Sequence, residues 1–114
     1  MFDFEKLSVY CKAKAFNRKV HKFLASHKLD STTNSQLRRA ALSIMLNIAK
    51  GSGRYSKADK RNFYIISRVS TFECVAIFDF LKDIEILNEK EFESFYEDLE
   101  ELSKMLFSMI KGLS

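Results

Sequence analysis

Apolar residues recur along this chain at three- and four-residue spacing, which predicts helices. Four emerge. The first runs from about Phe4 or Ser8 to Ser26 and carries Val9, Ala13, Phe16, Val20 and Phe23 on one stripe. His27 to Ser31 is a short polar connection. The second runs from about Thr32 to Gly51, with Leu37, Ala41, Ile44, Met45 and Ile48 as its core stripe. Gly51 and Gly53 are expected to stop it, because glycine tolerates the left-handed conformation of a C-cap. Ser56 caps the third helix, with Asp59 in capping-box position. That helix is expected to reach Leu87, a length of about 45–50 Å. Asn88 and Glu91 form an Asn-x-x-Glu box for the fourth. It continues through Phe92, Phe95, Leu99, Leu102, Leu106, Met109 and Leu113, the seam of near-parallel helix packing. Short connections force neighbours to run antiparallel. The expected fold is all-α, one up-down-up-down four-helix bundle.

Two helices carry more apolar surface than one core uses. On the second, Gln36, Ala40, Ser43 and Asn47 form a small, polar stripe beside the core stripe. Leu42 and Leu46 point roughly 120–160° away from the core. On the third, one broad arc holds Phe63, Ile66, Val69, Ile77, Phe80, Leu81 and Ile84. Phe72 and Val75 fall outside it. Single exposed apolar residues are common. Several on adjacent helices suggest an intersubunit patch, with Leu42, Leu46, Phe72 and Val75 as its expected residues.

The run QLRRAALSIMLNIAKGSGR at Gln36–Arg54, the later RNFYIISRVSTFE and the opening FDFEKLSVYCKA resemble the family of 23S rRNA intervening-sequence proteins. The accessory variability determinant of diversity-generating retroelements is a relative of that family. The likeness spans nearly the whole chain. Lys50 stands where the family usually has Glu, and Val69 where it usually has Gly. The loop Phe-Pro before the second helix is absent. The resemblance implies a left-handed antiparallel bundle that assembles as a homopentamer. It also implies association with nucleic acid, and a nucleic-acid-processing protein is a further expected partner.

At 114 residues, with 46% hydrophobic and 30% charged residues, one soluble globular domain is expected. No apolar run approaches the roughly 20 residues that span a bilayer. The N-terminus shows no signal-peptide pattern, so a cytoplasmic location is the expectation. Cys11 and Cys74 are isolated and expected to be reduced thiols. With His21 and His27 they offer no metal-ligand cluster, and neither metal nor cofactor is expected. Charge is uneven. Residues 1–70 hold 15 Lys or Arg against 4 acids, a net of +11. Residues 71–114 hold 4 against 11, a net of −7. This asymmetry suits a surface for a polyanion, complementary halves meeting across subunits, or pairing between antiparallel helices.

Two constellations bear on chemistry. Glu73 falls inside the apolar arc of the third helix, so it is expected to be buried and paired with Arg39 or Gln36 of the second, Arg39 first. No nucleophile or second positioned carboxylate accompanies it, so a structural pair is favoured over acid-base catalysis and no enzyme is expected. The basic candidates are Arg18, Lys19 and Lys22, then Arg38, then Arg54, Lys57, Lys60 and Arg61 around the second turn. That turn joins glycines, a helix N-terminus and clustered charge, which suits phosphate oxygens. GSGRYSKADK lacks the spacing of a nucleotide-hydrolysing loop. Tyr55 and Tyr64 either stack on bases or pack beneath a helix. The reading that results is a non-catalytic homo-oligomer binding structured RNA, or DNA, through its basic half. The alternative is a homo-oligomeric scaffold for a protein partner.

Overall fold

The computed structural model describes residues 1–114. A 3₁₀ turn at Asp3–Lys6 precedes four α-helices: α1 (Ser8–Ser26), α2 (Ser31–Ser52), α3 (Lys57–Asp83) and α4 (Glu89–Lys111). Each start has a side-chain reason except that of α1, where Leu7 caps without a side-chain bond. Asp30 accepts from the Thr33 N–H, Ser56 from the Asp59 N–H and Asn88 from the Glu91 N–H, while Glu91 bonds back to Asn88. The bonds to Thr33 hold the Asp30 carboxyl below its ordinary pKa.

α3 ends four residues before the expected Leu87. Glu85 adopts the left-handed region at φ 63°, and the Ile86 N–H donates back to the Leu81 carbonyl at 2.9 Å. The chain then turns Leu87 into the core. A non-glycine residue therefore closes this helix with a glycine-type cap.

The helices form a bundle of 44 × 25 × 22 Å around one continuous core. α2 packs on α1 and α3, and α4 packs on α3 and α1. α1 and α4 run in opposite senses, since Lys12 meets Glu101 while Lys19, farther along α1, meets Asp98. Phe16, Phe23, Phe78 and Phe95 interlock in the core, with ring centroids 4.2–6.5 Å apart. No helix is long and apolar enough to cross a membrane.

The α2–α3 seam corrects three expectations. Gly51 is helical and no glycine has positive φ, so it does not act as a left-handed stop. A Cβ on Gly51 would lie 2.7 Å from the Tyr64 ring, and this close approach is what the glycine serves. Tyr64 is accordingly buried beneath α2, while Tyr55 is fully exposed.

The second correction is to the core face of α3, which consists of Tyr64, Ser67, Ser70, Thr71, Cys74, Phe78 and Leu81. Most of the expected apolar arc lies outside the core: Ile66, Val69, Phe80 and Ile84 are exposed, and Phe63 and Ile77 only half-buried. Small hydroxyl residues won the core because they let α2 come close. Ser67 donates to the Ile44 carbonyl at 2.7 Å, and the Ser70 and Ser43 hydroxyls lie 2.8 Å apart. Asn47 donates to Ser43 at 2.9 and 3.0 Å. The stripe of Ala40, Ser43 and Asn47 on α2 thus faces its counterpart on α3.

The third correction follows from the second. Glu73 turns outward with the arc; it is exposed and forms no ion pair, and Arg39 is exposed likewise. No buried Arg39–Glu73 pair exists within the chain.

Candidate nucleic-acid interface

Positive charge in this fold is sorted by helix. α1 and α2 contain no acidic residue, whereas α4 contains seven between Glu89 and Glu101. α1 lies between the two populations. Its α4-facing lysines are neutralised: Lys12 Nζ sits 2.8 Å from Glu101 and Lys19 Nζ 2.8 Å from Asp98. Lys19 also lies over the Phe95 ring at 4.7 Å. Lys19 is therefore a cation of the α1–α4 seam and leaves the expected basic site. His27 joins the same seam, its Nε2 3.2 Å from Glu91.

The opposite side of α1 has no such partners. Arg18, Lys22 and Arg38 face a groove between α1 and α2 together with Lys14 and His21, and none of them forms an ion pair. The groove encloses about 450 Å³. Its floor is apolar, made by Tyr10, Val20, Leu24, Leu42 and Met45. Asn17 crosses beneath it, its amide nitrogen donating to the Ala13 carbonyl at 2.9 Å and to the Ala41 carbonyl at 2.8 Å. Those two bonds use both amide hydrogens and tie α1 to α2. Lys14 is absent from the basic candidates that the sequence offers, and Met45, expected in the core stripe, also lines the groove. The absence of any acid over α1 and α2 was the available signal.

The turn cluster is separate. Arg38 stands about 21 Å along α2 from its end at Ser52, at ~1.5 Å per residue. Lys60 Nζ donates to the Ser52 carbonyl at 3.0 Å, capping the C-terminus of α2. Arg54 lies over the Phe63 ring at 4.6 Å. Lys57 and Arg61 are exposed and form no ion pair. The eight basic candidates thus divide into a groove set of Arg18, Lys22 and Arg38, a turn set of Arg54, Lys57, Lys60 and Arg61, and the seam lysine Lys19.

The expected interface residues also divide. Leu42 lines the α1–α2 groove. Leu46 is exposed on α2, and Ile66, Val69, Phe80 and Ile84 are exposed on α3. Phe72 and Val75 line a larger groove of about 780 Å³ between α3 and α4, with Phe92 and Tyr96. Arg68 spans it, its guanidinium near the rings of Phe72 and Phe107 and its Nε donating to the Ser103 carbonyl at 3.2 Å. Asp79, Glu93 and Glu100 give this groove an acidic rim.

A family model described as 23S rRNA-intervening sequence protein matches residues 5–108. The chain is also similar to the crystal structure of a protein of unknown function from the S23 ribosomal protein family of Bacteroides thetaiotaomicron. That similarity has a TM-score of 0.84 at 27% identity, covering 90% of this chain and 98% of the other. No curated protein matches the chain.

Proposed function

We propose, from the premise that the chain belongs to the family of 23S rRNA-intervening sequence proteins, that it binds structured RNA without catalysing a reaction. The observation that carries this reading is the sorting of cations across α1. Lysines facing α4 meet acids, while Arg18 and Arg38 face an acid-free groove, and Lys22 borders both that groove and the α1–α4 groove that holds Glu91. Charge kept for internal pairing would have acids on both sides. A row of uncompensated cations suits phosphate oxygens. The turn set of Arg54, Lys57 and Arg61 is a second, separate group of cations near the α2–α3 turn. Titration of the protein with mixed structured RNA at low salt tests the reading. Binding that weakens when Arg18 and Arg38 are both changed to Gln is the expected result. No binding at low salt overturns it in favour of a scaffold for a protein partner.

Self-association belongs to the same proposal. The outer α2–α3 face exposes Leu46, Ile66, Val69, Phe80 and Ile84, and the α3–α4 groove exposes Phe72. Several large apolar residues exposed on adjacent helices mark an interaction site. Two different apolar surfaces on one chain suit a head-to-tail arrangement, and such arrangements close into rings. A homopentamer is the assembly we propose, and repetition of the basic groove around a ring raises avidity with no change in any single groove. Sedimentation is expected to give a defined oligomer that Leu46→Glu with Phe72→Glu dissociates while helical content persists. A clean monomer at micromolar concentration contradicts the assembly.

A further inference from the structure

The α1–α2 groove combines two chemistries that a duplex does not use together. Its rim is cationic and its floor is apolar. A duplex presents phosphates outward and keeps its base faces stacked inside, so it has nothing to lay on Met45 or Tyr10. An unpaired nucleotide carries both a phosphate and an apolar base face. Asn17 adds a third element: its amide hydrogens are spent on two backbone carbonyls, and its oxygen has no partner within the chain. That oxygen is a neutral acceptor among cations, suited to a base amino or imino group.

We propose that this groove seats an unpaired stretch of RNA, with a base against Tyr10 and Met45 and flanking phosphates on Arg18, Lys22 and Arg38. The inference rests on the RNA-binding reading above and narrows it. Charge alone predicts the reverse preference, because a duplex has the higher charge density and the steeper salt dependence. Preference for the single strand therefore reports the floor.

The test compares a short mixed-sequence single-stranded RNA with the duplex of the same sequence, on the intact protein at matched salt. The single strand is expected to bind roughly tenfold tighter. Met45→Gln and Tyr10→Leu are each expected to lower single-strand affinity by roughly tenfold with the salt slope unchanged. Arg38→Gln is expected to shallow the slope by about 0.7. Circular dichroism of each variant establishes that the bundle persists, and Met45→Gln, at a half-buried position, carries the test if Tyr10→Leu does not fold. Equal or tighter duplex binding overturns the base seat while leaving RNA binding intact, and so does indifference to the floor variants. Displacement of the single strand by poly-glutamate at equal charge overturns it too, and assigns the groove to an acidic polypeptide. Failure of both nucleic acids to bind overturns the RNA reading itself.

Discussion

Burial separates the two cysteines chemically. Cys74 lies in the α2–α3 seam, and burial, with a smaller contribution from the Glu73 carboxylate, pushes its thiol up to about 12. Cys11 is exposed. One thiol is expected to react with an alkylating agent at neutral pH in the folded protein, and two in denaturant, as counted by mass spectrometry. The folded state holds Cys74 neutral, whereas in the unfolded chain it ionises near its ordinary 9.0. Its contribution to stability is therefore full below pH 9.0 and is lost as pH rises toward about 12. Urea unfolding across that range is expected to show a smaller loss for Cys74→Ala than for the parent. Both residues read in the sequence as reduced thiols. That one is sealed was not legible, because the larger apolar residues of α3 drew the expected core to its other face.

The same competition governs α2 and α3 as elements. On α2 the small, polar stripe was visible in the sequence, and it is the seam. On α3 the rule that large apolar residues face inward selected Phe63, Ile66, Val69 and Phe80, and Glu73 went into the expected core with them. Seam geometry decided otherwise, because residues the size of Ser67 and Ser70 let the backbones approach and supply hydroxyls to α2. Gly51 belongs to this close approach. Alanine is the better helix former by roughly 1 kcal/mol, yet Gly51→Ala is expected to destabilise by about 1–3 kcal/mol through its clash with Tyr64. Denaturant unfolding decides between the two effects: a lower midpoint supports the seam, and a higher one contradicts it. α1, α4 and the caps at Ser56 and Asn88 were legible because periodicity and capping agree there. The end of α3 was not, because Glu85 takes a backbone conformation that its residue type does not advertise.

At the scale of the molecule, α1 is an electrostatic boundary. The net +11 of the first 70 residues was plain in the sequence, but not how it divides. Position around α1 determines whether a lysine is neutralised, as Lys12 and Lys19 are, or joins the open groove, as Lys14 does; Lys22 borders both sides. The partly exposed pairs with α4 contribute little stability. Their consequence is to remove two cations from one side while leaving the other side uncompensated. The expected interface residues likewise scattered over three surfaces, since helix angle alone did not reveal which neighbour each would meet.

The most direct measurement compares two double variants that remove the same net charge. In one, Arg18 and Arg38 become Gln, emptying two positions of the groove rim. In the other, Lys12 and Lys19 become Gln, removing two cations already held by Glu101 and Asp98. Single-stranded RNA affinity is measured across a salt series for each and for the parent. The groove variant is expected to shallow the slope of log K against log salt by about 0.7 for each phosphate no longer neutralised, while the seam variant keeps the parent slope. Equal slopes for the two variants, or a larger fall in affinity from the seam variant, would contradict the assignment of RNA to the α1–α2 groove.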